Sequence, residues 1–429
     1  MKKPTYKKTH IGEHKLHAET QMMSYGYDPQ MSEGAVKPPV FLTSTFVFKT
    51  AEDGADYFDI VSGRKPQPEG KSAGLIYSRL NHPNLEILED RLALLEGGDS
   101  ADVFASGMAA ISAVFQAFVR PGDVIVHSSP LYGGTETLIR KVLAEWNVAS
   151  TEFHDGLSEE AISRALEEGA GKGRVAVIYV ETPANPTNAL IDFVAVNNAA
   201  DAFAKKHGSR PIIVCDNTML GPIFQKPLAQ GVDISVYSLT KYVGGHSDLI
   251  AGAVIGDNER MAQVRMMRHA YGSQLDPHSS WMLGRSLETL GLRMRRAAES
   301  GRAVAKWLHN NPYSPVQVLH PEYIANEDYQ EVYHRQCEGP GSTFSFVVQG
   351  GREKAFKVIN NLSLFKSAVS LGGTESLVSH PASMTHSGVP VEVREDVGVT
   401  EGLIRVSIGL EHPDDLNADL DMAFSKTFR

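Results

Sequence analysis

The spacing of apolar positions changes several times along the chain, and each change marks an element. Residues 84–96 (NLEILEDRLALLE) carry Leu and Ile at helical spacing, and Gly97–Gly98 stops the pattern, so a helix is predicted there. Beyond it, short apolar runs at 101–105, 124–127, 175–180, 212–215, 234–237 and 253–255 have strand length. Between and around them, 108–118, 136–146, 158–168 and 193–207 read as amphipathic helices. Such alternation predicts a parallel sheet with helices on both faces. Residues 281–310 then form one long helical pattern rich in Arg and Leu, followed by strand-like runs at 342–348 and 403–408 with helices between them. The first 75 residues lack a period. Pro29, Pro38, Pro39, Pro66 and Pro68 break long elements there, and 63–71 reads as a loop. The expected organisation is an N-terminal arm and inter-subunit segment (1–75), a large α/β domain (76–275) and a smaller C-terminal α+β domain (276–429).

Composition narrows the function classes. Of 429 residues, 42% are apolar and 21% charged, which suits a globular chain and excludes collagen, coiled coil and disorder. Lys plus Arg is 41 and Asp plus Glu is 51, a net charge of −10, which argues against nucleic acid or an anionic membrane as the main partner. No apolar run approaches the roughly 20 residues of a membrane span. The start, MKKPTYKKTHIGEHK, has basic residues but no apolar segment after them, so no signal peptide is expected. Cys215 and Cys337 cannot make a disulfide framework and lack zinc-site spacing, and the 16 histidines form no metal constellation. A cytoplasmic protein without a metal is expected.

Four stretches carry chemistry. In DISVYSLTKYVGG (233–245) a predicted strand ends in Ser238, Thr240 and Lys241. A lysine at the carboxyl end of such a strand points to the crevice where open α/β sheets bind ligands. Two hydroxyls on one face of extended chain can hold one phosphate, and the amine can form a Schiff base with an aldehyde. Alone, Lys241 reads more readily as a surface lysine after a strand. IIVCDNT (212–218) is a buried run ending in Asp216, an acid that could pair with a protonated pyridine nitrogen or serve as a turn residue. Asp216 lies one crossover unit before Lys241, so their strands can be neighbours. FASGMAA (104–110) runs from a strand into a helix, where the N–H groups of Gly107 and Met108 could bind phosphate. In SPLYGGT (129–135), Tyr132 follows a strand end and could stack on an aromatic cofactor and move protons.

Together these stretches resemble the Cys/Met-metabolism family of pyridoxal-phosphate enzymes, which has the aspartate-aminotransferase fold. The resemblance runs from about Tyr25 to Phe424 and rests on YSRLNHPN (77–84), SGMAA (106–110), YGGT (132–135), ETPANPT (181–187), DNT (216–218), SLTKYVGGHSD (238–248), SLGGTESLVSHPASMTH (370–386) and RVSIGLE (405–411). It implies an α/β fold with a mixed, mostly parallel sheet and a smaller C-terminal α+β domain. It also implies pyridoxal 5'-phosphate held by Lys241, with Lys241, Asp216 and Tyr132 as catalytic residues. Asp216 would pair with the ring nitrogen and Tyr132 would stack on the ring. Gly107, Met108, Thr218, Ser238 and Thr240 would bind the cofactor, joined by Tyr77 and Arg79 reaching from a neighbouring subunit of a homotetramer, a dimer of dimers. Asn185, Ser370 and Arg405 would hold the substrate α-carboxylate, with Val369 beside them.

The stretch around Val369 is most similar to methionine γ-lyases. Cystathionine γ-lyases and many γ-synthases carry Glu at that position, and apolar Val suits an apolar tail. Two departures run the other way: Gly134 stands where methionine γ-lyases usually carry Cys, and RHAYGSQLDP (268–277) differs from their loop. The expected activity is γ-elimination on L-methionine or a related thioether, giving 2-oxobutanoate, ammonia and a thiol. The alternatives are γ-replacement, as in cystathionine γ-synthase or O-acylhomoserine sulfhydrylase, and a non-catalytic scaffold of the same fold. Elimination and replacement share an intermediate, so the sequence leaves that choice open, together with the role of the 63–74 insertion.

Overall fold

The computed structural model describes residues 6–66, 74–310, 317–389 and 391–428. Most of the 63–74 insertion, 67–73, lies outside the described residues.

Seven strands build the main sheet: β1 (Ser100–Phe104), β2 (Asp123–Ser128), β3 (Ala149–Phe153), β4 (Arg174–Glu181), β5 (Ile212–Asp216), β6 (Ile234–Tyr237) and β7 (Gly252–Gly256). Their order is β1-β7-β6-β5-β4-β2-β3. Pairing from β6 through β3 is parallel, whereas β7 runs antiparallel to both β1 and β6. The run at 253–255 gives no hint of that reversal, because a strand buried on both faces is apolar throughout in either direction. Within β4, Val177 and Tyr179 pack on one face with helix Gly107–Phe118, while Ile178 and Val180 pack on the other with helices Glu159–Ala170 and Phe193–His207. The period of two thus feeds two cores.

The arm is more ordered than expected. Helix α1 (Ala51–Val61) forms because Thr50 caps it, its side chain accepting the Asp53 N–H at 3.1 Å. It buries none of its own residues in this chain. Helix α2 (Pro83–Glu96) starts at His82, whose ring accepts the Leu85 N–H, and ends at Gly97 with φ 84°. That left-handed residue favours glycine. Helix α3 (Gly107–Phe118) follows β1 directly. The helix expected at 136–146 is present as one continuous helical run over 133–145, with a π-helical segment, Leu138–Leu143, inside it.

The single helix expected over 281–310 is two: α4 (Pro277–Leu287) and α5 (Leu290–His309), parted at Glu288 and Thr289. Thr289 leaves helical geometry at φ −115°, ψ 6° with neither Gly nor Pro to announce it. A second sheet follows, made of β8 (Gln317–Leu319), β9 (Thr343–Val347), β10 (Lys366–Ser367), β11 (Leu377–Ser379) and β12 (Leu403–Ser407), in the order β8-β9-β12-β11-β10. Phe344, Phe346, Ile404 and Val406 pack there against Val304, Leu308 and Phe424. Among the described residues, no helix is long and apolar enough to cross a membrane. Nor does any group of three or more His, Cys, Asp or Glu stand ready to hold a metal.

Candidate active site

The carboxyl ends of β4, β5 and β6 meet the start of α3 and the second sheet around a cavity of about 260 Å³. Each strand end contributes a polar side chain. Asp216 closes β5 and is directly opposite Glu181, the last residue of β4. Ser238, Thr240 and Lys241 follow β6.

Asp216 is buried and its carboxylate is fully engaged. Oδ1 accepts the Thr218 hydroxyl at 2.6 Å and the Thr218 N–H at 3.0 Å, and Oδ2 accepts the Tyr179 hydroxyl at 3.2 Å. Burial raises its pKa, against those hydrogen bonds. A cationic ring nitrogen beside it would supply the charge that burial lacks. The Thr218 hydroxyl also accepts the Ser238 N–H at 2.9 Å, which ties the two strand ends together. Thr218 therefore sets the position of its neighbours as well as lining the cavity.

Helix α3 presents its amino end to this point. Ser106 caps it, accepting the Ala109 N–H at 3.0 Å. The N–H groups of Gly107 and Met108 have no hydrogen-bond partner among the described residues. A Cβ on Gly107 would lie 3.1 Å from the Ser238 Cβ, so only glycine leaves the cradle open. Two unpaired N–H groups at a helix start and the nearby Ser238 hydroxyl make an anion site. Thr240 also lines the cavity, but its hydroxyl donates to the Ala251 carbonyl at 3.1 Å and accepts the Ala251 N–H at 3.0 Å.

Lys241 Nζ donates to the Ser370 hydroxyl at 3.1 Å. Burial, and then the Arg405 charge, lower its pKa. Both effects favour the neutral, nucleophilic amine. Arg405, on β12, is only 2% exposed. It donates to Asn185 Oδ1 at 3.1 Å, to the Val369 carbonyl at 3.1 Å and to the Ser370 carbonyl at 2.9 Å, while its Nε has no partner. No carboxylate among the described residues pairs with this buried guanidinium, and burial pulls its pKa down to about 10. An uncompensated buried cation facing a cavity suits a carboxylate arriving with a substrate.

Glu181 was not singled out from the sequence. Its buried carboxylate accepts the Tyr132 N–H at 2.6 Å and the Asn185 N–H at 2.9 Å, joining the loop that carries Tyr132 to the one that carries Asn185. Burial, and then the charge of Asp216, push it up to about 8. The signal was present, since ETPANPT opens at a strand end as DNT does. Ile250, Leu371 and Thr385 also line the cavity unforeseen. Tyr132 stands half-exposed at the mouth. Tyr77 and Arg79 do not line the cavity of their own chain; Arg79 donates to the His269 carbonyl and sits 6.0 Å from the Tyr77 ring centre.

A buried amine beside a hydroxyl, an acid positioned for a ring nitrogen, a phosphate cradle and an unpaired arginine are the parts of a pyridoxal-phosphate site. The family model described as Cys/Met metabolism PLP-dependent enzyme matches residues 19–425. The chain belongs to that family. Among its relatives, the L-methionine gamma-lyase of Pseudomonas deceptionensis is 39% identical, over 94% of this chain and 96% of that protein. The cystathionine gamma-lyase of Bacillus subtilis is 36% identical, over 94% of this chain and 98% of that protein. The crystal structure of cystathionine gamma-lyase from Lactobacillus plantarum complexed with L-serine superposes with a TM-score of 0.84 at 32% identity, covering 96% of this chain and 99% of that one. As a member of the Cys/Met-metabolism family the chain is a pyridoxal-phosphate-dependent enzyme acting on a small amino-acid substrate. The free Gly107 and Met108 N–H groups, the buried Asp216 and the orphaned Arg405 Nε all fit that cofactor with an amino acid beside it.

Proposed function

We propose that this enzyme catalyses γ-elimination on L-methionine or a related thioether, releasing 2-oxobutanoate, ammonia and a thiol. The observation that carries this reading is the wall beyond Lys241 and Arg405. Val369, 58% exposed, lines the mouth with Ile250, and Leu371 lies behind them. No charged side chain joins these three, so the wall accepts an apolar thioether tail and offers nothing to a distal amino or carboxyl group. The L-methionine gamma-lyases among the relatives support the same substrate class.

In this reading Lys241 Nζ would hold the cofactor aldehyde, while the α3 start and Ser238 would hold its phosphate. Tyr132 would lie against the ring and Asp216 would keep its nitrogen protonated, with Thr218 fixing Asp216. When bound, the cofactor supplies an electron sink for bonds at the substrate α-carbon. Arg405, backed by Asn185 and the Ser370 carbonyl, orients the substrate through its carboxylate. That orientation presents the Cα proton to Lys241. The freed amine takes this proton, would hand it on to the conjugated system that the cofactor supplies, and as a neutral amine again takes one Cβ proton; the Cγ–S bond then breaks and the leaving thiolate takes up a proton. The Ser370 hydroxyl holds Nζ between these transfers.

γ-Replacement is the second reading. The crystal structure of cystathionine gamma synthase from Xanthomonas oryzae pv. oryzae in complex with cystathionine superposes with a TM-score of 0.83 at 33% identity. Assembly as a tetramer with sites shared between subunits gives Tyr77, Arg79 and the exposed apolar arm (Met31, Val36, Leu42 and Val47) a role that the single chain does not. Cytoplasmic residence, and a division into an arm, a cofactor domain to residue 275 and a C-terminal domain, belong to the same proposal. The test is 2-oxobutanoate release from L-methionine by the cofactor-loaded protein. Release that disappears in Lys241→Ala is expected. An intact visible absorbance band with no release would overturn elimination in favour of replacement.

A further inference from the structure

A second cavity of about 250 Å³ lies between α2, α4 and the arm, and it shares no lining residue with the catalytic one. Its roof is the arm segment at Lys37 and Pro38. That segment is fastened down by Trp281 Nε1 donating to the Pro38 carbonyl at 3.0 Å and by Asn84 Nδ2 donating to the Pro39 carbonyl at 2.8 Å. The walls are Ile87 and the Trp281 ring, both apolar surfaces. A cavity of about 150 Å³ already admits benzene, so this one has room for a ring with a short chain.

Its charge is unbalanced. Arg91 is 3% exposed; Nε donates to the Tyr25 carbonyl at 2.9 Å and Nη1 to the Gly284 carbonyl at 3.3 Å. Nη2 has no hydrogen-bond partner among the described residues, and the nearest carboxylate, Glu288, is 4.0 Å from Nη1. Glu288 is instead engaged by Lys37. Arg285, also on the wall, has no ion pair among the described residues. Three cations thus face one carboxylate, in a chain whose net charge is −10. A buried guanidinium with a free fork arm is matched by a planar carboxylate.

Gly284 supplies an independent observation. It sits inside α4, where glycine is a poor helix former, and a Cβ built on it meets nothing within 4 Å. A side chain there would stand in open space beside the cavity that Gly284 lines.

We infer that this cavity is a second ligand site, taking a small monocarboxylate with an apolar or aromatic body. The carboxylate binds Arg91 and Arg285, and the body lies against Trp281, Ile87 and Pro38.

The test is calorimetric titration of the cofactor-loaded enzyme with hydrocinnamate, using hydrocinnamyl alcohol and inorganic phosphate as controls. The Arg405→Ala holoenzyme is titrated in parallel to separate binding at the catalytic arginine. Hydrocinnamate is expected to bind in the Arg405→Ala protein, and Gly284→Leu, which places a side chain in the cavity and leaves Arg91 itself unsubstituted, is expected to abolish that binding. Arg91→Met and the alcohol should each weaken binding by about tenfold or more, the scale of a charge-assisted hydrogen bond. Absence of binding, indifference to Gly284→Leu, or equal affinity for the alcohol or for phosphate would overturn the inference. So would a Gly284→Leu protein that binds nothing and also changes its sedimentation, because the cavity would then belong to a subunit contact.

Discussion

Arg405 gives the sharpest test of the proposed substrate geometry. The perturbation is Arg405→Lys, with Arg405→Ala as its limit. With a pKa near 10 the guanidinium is charged at pH 7, and it holds three acceptors at once: Asn185 Oδ1 and the carbonyls of Val369 and Ser370. Lysine keeps the charge but cannot span three acceptors and a carboxylate. Removing one member of a buried charge pair costs about 2–5 kcal/mol, which at about 1.4 kcal/mol per tenfold is roughly 30-fold to a few thousandfold in substrate binding. Alanine should reach that range and lysine fall short of it. Because three acceptors lose their donor, about 1–3 kcal/mol of stability goes with each one left buried and unsatisfied, so thermal melts accompany the kinetics. The assay pairs saturation with L-methionine against titration of the cofactor band. The expected result is a raised KM with cofactor affinity retained, partly rescued in Arg405→Ala by added guanidinium. Parallel loss of cofactor, or an unchanged KM, would refute the assignment.

Other residues yield shorter tests. Lys241→Ala should abolish the visible band of the cofactor-loaded protein while phosphate still competes for the cradle at α3. Glu181 titrates near 8 when folded against 4.5 in the unfolded chain. Its contribution to stability is complete below 4.5 and is lost as pH rises through 8, so a plot of apo-protein Tm against pH should flatten across that window in Glu181→Gln. A Cβ at Gly252 would lie 2.3 Å from the Ser106 carbonyl oxygen, so Gly252→Ala should push the α3 cap aside and weaken cofactor binding, read by equilibrium dialysis; unchanged affinity would count against the cradle. Arg268, fully buried, pairs with Glu89 and with Asp102 at 3.1 Å. Arg268→Met leaves the buried Glu89 without its cation, while Asp102 keeps Arg265 at 2.9 Å, and should cost about 3–5 kcal/mol in urea unfolding.

The site was legible wherever chemistry sits at the end of a strand. Asp216 and the Ser238–Lys241 stretch announced themselves because a buried apolar run cannot continue through them. Parallel pairing of β5 with β6 then brings them together, as their spacing suggested. Glu181 ends β4 in the same way and is register partner to Asp216, so the rule that found one acid applies equally to the other.

What local pattern could not show is set by packing between distant segments. The break at Glu288 and Thr289 has no breaker residue; it lies where Arg293 donates to the Ser286 carbonyl and to the Tyr242 and Val243 carbonyls. This buried arginine on α5 reaches back to the end of α4 and also to carbonyls about fifty residues away in the turn that follows Lys241. The same guanidinium lies where a Cβ at Gly245 would be, so Gly244–Gly245 reads as room for Arg293 as much as a turn signal. The helix break and the glycine pair after the lysine are therefore two sides of one contact, which holds the Lys241 loop against the start of the C-terminal half of the chain.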